Sequence, residues 1–219
     1  MKRIHPLLVV IALILGSALW QIGILLFEHH PITNYPPKAG SVIAFGDSLT
    51  VGVGGTPEVG GFIGILEKRL ETPILMGGVS GNTTVDALAR LDQDVLAEHP
   101  AIVIVLLGGN DYLKRIPPAD TFANLRTIIK KIQDDGATVL LLGVRGGLLT
   151  DHFDADFETL ASESGVVFVP NVLDGVIGNA PLMSDEVHPN DAGYLKIADK
   201  VAPGLLSLLE AQKLNKPAN

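Results

Sequence analysis

Three residues of this chain have the types needed for nucleophilic catalysis. Ser48 follows an apolar run, residues 42–45, that ends abruptly in Gly46-Asp47. A buried strand delivers a serine to the lip of a parallel sheet in this way. Asp185 and His188 stand three residues apart near the C-terminus, in Asp185-Glu186-Val187-His188-Pro189. A serine hydroxyl is a poor nucleophile until a base takes its proton. Histidine, with an ordinary pKa of about 6.5, is neutral and basic at physiological pH. A carboxylate beside it can hold the ring in the needed tautomer and stabilise the imidazolium. Together these are the inventory of a nucleophilic hydrolase. The bland alternative for Ser48 is a helix N-cap.

The elements that would bring these residues together alternate along the chain. Residues 42–45, 74–79, 102–107, 138–144 and 166–169 are short apolar runs and read as strands. Residues 62–70, 85–98, 118–135, 153–164 and 191–214 read as helices from their apolar spacing. Thr83 or Thr84 suits an N-cap, and Pro203-Gly204 should bend or interrupt the last helix. Strands alternating with helices imply a parallel sheet covered on both faces. Ligands of such sheets bind outside the carboxyl ends of the strands. Ser48, Gly81 and Asn110 all fall there, after the first, second and third strands. Residues 28–40, with Pro31, Pro36, Pro37 and Gly40, read as a linker, 41–214 as one domain and 215–219 as a tail.

Four separated blocks then resemble the SGNH hydrolases, also called the GDSL esterase/lipase family. They are Ala44-Phe45-Gly46-Asp47-Ser48-Leu49, Gly78-Val79-Ser80-Gly81-Asn82-Thr83-Thr84, Leu107-Gly108-Gly109-Asn110-Asp111 and Asp185-Glu186-Val187-His188-Pro189-Asn190. They stand in the family's order and span about residues 41–212. The resemblance is greatest to the small bacterial arylesterase, thioesterase and lysophospholipase group. It implies a flavodoxin-like three-layer α/β/α domain with a five-stranded parallel sheet. It also implies a serine esterase acting on small or acyl-chain carboxylic esters, with no cofactor and no metal. By the resemblance Ser48 is the nucleophile, His188 the base and Asp185 its orienter. The backbone N–H groups of Ser48 and Gly81 and the amide of Asn110 form the oxyanion hole. Asn110 could instead cap the turn after strand three. Asp47 and Asp111 are expected to support the loops, and Asn190 to cap the last helix. The chain departs from its relatives after strand four, at Val144-Arg145-Gly146-Gly147. Arg145 could meet an anionic substrate group or pair with a nearby aspartate. An O-acetyl esterase of envelope glycans and a non-catalytic binding module on a decayed hydrolase fold are the rival readings.

Composition narrows the remaining classes. The net charge of −8 argues against nucleic acid, whose binding rests on Lys and Arg neutralising phosphates. No cysteine is present, so thiolate chemistry and disulfides are excluded. Gly52-Val53-Gly54-Gly55 fails as a dinucleotide fingerprint because Pro57 stands where the third glycine belongs. No G-x-S-x-G elbow occurs. Residues 6–27 carry no charge and follow Lys2-Arg3. As a helix they would span about 33 Å, the thickness of a hydrocarbon core. The expectation is an uncleaved transmembrane anchor with the N-terminus in the cytoplasm and the domain outside. A cleaved signal peptide ending at Gly16-Ser17-Ala18 is the alternative, and oligomeric state is not legible.

Overall fold

A computed structural model describes residues 31–144 and 153–215. The transmembrane expectation for residues 6–27 and the loop containing Arg145 lie outside the described residues. No helix among the described residues is long and apolar enough to cross a membrane.

Five strands form one sheet: β1 (Val42–Gly46), β2 (Ile74–Gly78), β3 (Ile102–Leu106), β4 (Thr138–Leu142) and β5 (Val167–Val169). Their spatial order is β2-β1-β3-β4-β5 and every pairing is parallel. This is the flavodoxin-like order, whose switch point lies between β1 and β3. Strands β1, β3 and β4 are buried at every position. That explains their unbroken apolar sequences: each is covered on both faces. Edge strand β2 instead leaves Leu75 and Met76 exposed.

The helices are α1 (Ser48–Val51), α2 (Gly61–Leu70), α3 (Thr84–Asp94), α4 (Gly109–Leu113), α5 (Pro118–Asp134), α6 (Phe153–Ser164) and α7 (Asp191–Leu214). Helices α2 and α7 pack together, as do α3 with α5 and α5 with α6. Right-handed crossovers put these two groups on opposite faces of the sheet. Buried Phe62, Ile63 and Leu66 line one layer, and Leu125, Ile128, Ile129 and Phe157 the other.

The structure selects one of the two N-cap candidates of α3, and two helices differ from the sequence reading. Thr83 is the N-cap of α3, in a capping box with Asp86. The helix stops at Asp94, and Leu96–Glu98 tightens into a 3-10 turn. The following His99-Pro100 cannot continue a helix, because a residue before proline is pushed out of the α region. Helix α7 runs unbroken through Pro203 rather than being interrupted there. Val201, Leu205 and Leu208 around the proline are fully buried. Gly204 also approaches Leu140, so a Cβ there would stand 3.3 Å from its Cδ1. Packing on the sheet offsets the one hydrogen bond that proline cannot donate.

Candidate active site

The site is built where β1, β2 and β3 end side by side. Gly46 of β1 pairs with Gly78 of β2 and Leu106 of β3. The three following loops therefore leave the sheet together. In the first, Asp47 caps α1: its Oδ1 accepts from the Leu49 N–H at 3.0 Å. This turns the chain sharply enough to leave Ser48 half-buried at the lip.

His188 arrives from 140 residues away. Its Nε2 lies 3.1 Å from Ser48 Oγ, and its Nδ1 lies 2.8 Å from Asp185 Oδ2. Asp185 is shaped for this contact, since its other oxygen accepts from the N–H of Val187 and of His188, both at 2.8 Å. The His188 hydrogen bond, followed by these backbone donors, holds the Asp185 carboxyl down at about 2. It therefore stays ionised and can orient the ring.

The turn carrying His188 is anchored at both ends. Ser184 N–H donates to the His188 carbonyl at 2.8 Å. Asn190 caps α7, accepting from Ala192 and Gly193 N–H and donating to the carbonyls of Pro181 and Met183. On the opposite side Gly54 adopts φ +93°, and a Cβ there would stand 2.6 Å from the Pro189 carbonyl and 3.0 Å from His188 Cβ. Only glycine lets these two loops approach so closely.

Gly81, Asn110 and Gly109 line the same cavity as Ser48 and His188. Gly81 has φ +80°, and a side chain there would meet nothing within 4 Å. Its position therefore requires glycine for backbone conformation rather than for space. Lys114 Nζ donates to the Gly81 carbonyl at 3.0 Å. Asn110 Nδ2 donates to the Asn82 carbonyl at 3.0 Å and, over 3.3 Å, to Asp47 Oδ2. Asp47 is 3 % exposed. Burial pushes its carboxyl up to about 6, against the pull of the Leu49 N–H and the His188 charge. Asp111 is fully buried and ties α4 to α3, accepting from Thr84 N–H at 2.9 Å and Thr84 Oγ1 at 2.5 Å.

Ser48, His188, Asp185, Gly81 and Asn110 thus converge, with Asp47 and Asp111 behind them. The cavity in front encloses about 310 Å³. Its walls are apolar: Leu49, Val53, Leu113, Val144, Leu173 and Ile177. Leu173 and Ile177 went unnoticed in the sequence because they sit in an irregular segment after β5. The apolar pairs Val172-Leu173 and Val176-Ile177 in a loop were the available signal.

Comparisons with known proteins identify the family. A family model described as the GDSL-like lipase/acylhydrolase family matches residues 44–196. Esterase TesA of Pseudomonas aeruginosa is 32% identical over 182 residues, or 78% of this chain and 90% of its own length. An arylesterase of Vibrio mimicus is 33% identical over 151 residues, covering 66% of this chain and 76% of its own. The crystal structure of TesA superposes with a TM-score of 0.70 at 30% identity, over 77% of this chain and 99% of that one. Since the match runs from the serine strand through the histidine turn and into α7, the chain belongs to the GDSL-like lipase/acylhydrolase family.

Proposed function

We propose that this chain is a serine esterase that hydrolyses carboxylic esters bearing an apolar acyl or aryl group. One observation carries the reading: the unbroken line Ser48 Oγ, His188 and Asp185, with gaps of 3.1 and 2.8 Å, at the floor of an apolar cavity. Ser48 Oγ attacks the ester carbonyl carbon while its proton passes to His188 Nε2. The carbonyl oxygen becomes an oxyanion, held by the N–H groups of Ser48 and Gly81 and by Asn110 Nδ2. The long Asp47 contact of that amide is the one an oxyanion can displace. Collapse expels the alcohol, which takes its proton from His188. Water, deprotonated by His188, then attacks the acyl-enzyme and releases the acid. The apolar walls favour aryl and acyl-chain esters or lysophospholipids over the O-acetyl groups of envelope glycans.

The test is hydrolysis of p-nitrophenyl esters by wild type and Ser48→Ala. Turnover should fall by several orders of magnitude with unchanged circular dichroism, and a fluorophosphonate should label the wild type at Ser48 alone. An active Ser48→Ala protein would sink the assignment. Absence of labelling would favour a non-catalytic binding module instead.

We further propose that residues 6–27 anchor the chain in the cytoplasmic membrane with the domain on its outer side. The support is their length, their lack of charge and the preceding Lys2-Arg3. Full-length mass in the membrane fraction is the expected result, and a shortened soluble product would mean cleavage.

A further inference from the structure

Arg90, on α3, makes contacts that reach the end of β1, strand β2 and the loop after β2 without lining the cavity. Its side chain is only 16% exposed. Nη2 donates to the Gly46 carbonyl at 2.9 Å and Nη1 to the Gly77 carbonyl at 2.9 Å. Nε donates to Asn82 Oδ1 at 2.6 Å. The guanidinium lies over the Phe45 ring, 4.4 Å from its centroid, and Asp94 accepts from Nη1 at 3.0 Å.

These acceptors are not scattered. Gly46 ends β1, two residues before Ser48. Gly77 lies in β2, four residues before Gly81. Asn82 follows Gly81, and its carbonyl accepts from Asn110 Nδ2 at 3.0 Å. One guanidinium therefore reaches the strand end that carries Ser48 and both flanks of Gly81. Through Asn82 it also reaches the amide of Asn110. The Gly46 carbonyl also accepts from the Val79 N–H at 3.0 Å, so the guanidinium adds a second donor at the last rung between β1 and β2. A rigid fork of five N–H donors can serve several at fixed angles, whereas an ammonium is a point charge on a flexible stem.

We propose that Arg90 is a positioning residue: it sets the relative placement of the three oxyanion donors. This rests on the proposed roles of Ser48, Gly81 and Asn110. Oxyanion donors act because they are pre-aimed at the developing charge, and small displacements at a reacting centre are expensive in rate. A merely structural Arg90 would affect only the fraction of folded enzyme. A positioning Arg90 changes turnover of every correctly folded molecule.

The experiment uses the full-length protein, with active sites counted by end-point fluorophosphonate labelling. Arg90→Lys keeps the charge and loses the fork. Asn82→Ala removes the Nε acceptor but keeps the carbonyl that Asn110 uses. For Arg90→Lys, kcat per titrated site should fall about 10- to 100-fold, with KM within about 3-fold of wild type. The inhibition constant of a phenylboronic acid, which forms a tetrahedral adduct on serine, should rise in proportion to the fall in kcat/KM. Asn82→Ala should shift both quantities in the same direction by a smaller factor. The inference is overturned if Arg90→Lys keeps wild-type kcat per titrated site, or if the loss appears in KM alone. Ser48→Ala, run in parallel, separates the two levels. If it is inactive while Arg90→Lys is normal, only the positioning role fails; if it is active, the underlying site reading fails.

Discussion

Asp47 offers a test of the buried electrostatics that is independent of catalysis. Its carboxyl rises from an ordinary value of 3.8 to about 6 because it is buried. A rise of that size corresponds to about 3 kcal/mol between the charged and neutral forms. The sign follows from proton counting. Between the two values the folded state binds more protons than the unfolded state, so stability falls as pH rises. The contribution is fully present below 3.8 and lost as pH climbs through about 6. Asp47→Asn removes this titration. It also replaces a charged acceptor facing Leu49 and Asn110 with a neutral amide, an offset that does not vary with pH. The stability difference between variant and wild type should therefore move in the variant's favour by about 2.5 kcal/mol from pH 4 to pH 8. Urea unfolding at several pH values measures it. Far-UV circular dichroism is the suitable probe, since Trp20, the single tryptophan, precedes the domain. A difference constant across that range, or one moving the other way, refutes the claim that Asp47 is held against its charge.

Three further substitutions probe the catalytic geometry. Asn110→Ala should lower kcat by about 10²–10³ with little change in KM, the usual loss for one oxyanion donor; an unchanged kcat would return Asn110 to a turn-capping role. Asp185→Asn should cost at least about 10²-fold in kcat/KM while remaining short of the roughly 10⁴ seen for an enclosed triad aspartate, because solvent reaches this carboxylate; full activity would mean that the Asp185 contact does not orient His188. Gly54→Ala should reduce both kcat and melting temperature, since its Cβ would stand 3.0 Å from His188 Cβ at φ +93°. A wild-type kcat in that variant would show that the Gly54 contact does not set the histidine's position.

Much of the site was legible because its residues follow strands. Ser48, Gly81 and Asn110 each sit one loop beyond an apolar run, and such runs are visible without coordinates. Asp185 and His188 were legible from a spacing of three, which the turn closes through two backbone hydrogen bonds to one carboxylate oxygen. Arg90 was not legible. It occupies a helix whose buried stripe is Thr84, Ala87 and Leu91, and it belongs to none of the four sequence blocks. Only the ends of β1 and β2, brought side by side, supply the carbonyls that hold it. Helix α7 posed the reverse problem. Pro203 carries a strong local signal for a break, yet burial of its neighbours against the sheet overrides it.

By itself the sequence determined the strand and helix alternation, the family and the identity of the five converging residues. Apolar periodicity, capping and short motifs are local properties, written in neighbouring positions. The tertiary structure alone decided the apolar wall contributed by Leu173 and Ile177 and the burial that raises Asp47. It also decided the spread of Arg90 across the ends of β1 and β2 and the loop after β2. These depend on distances between segments far apart in the chain, and a parallel sheet sets such distances only when its crossovers have closed.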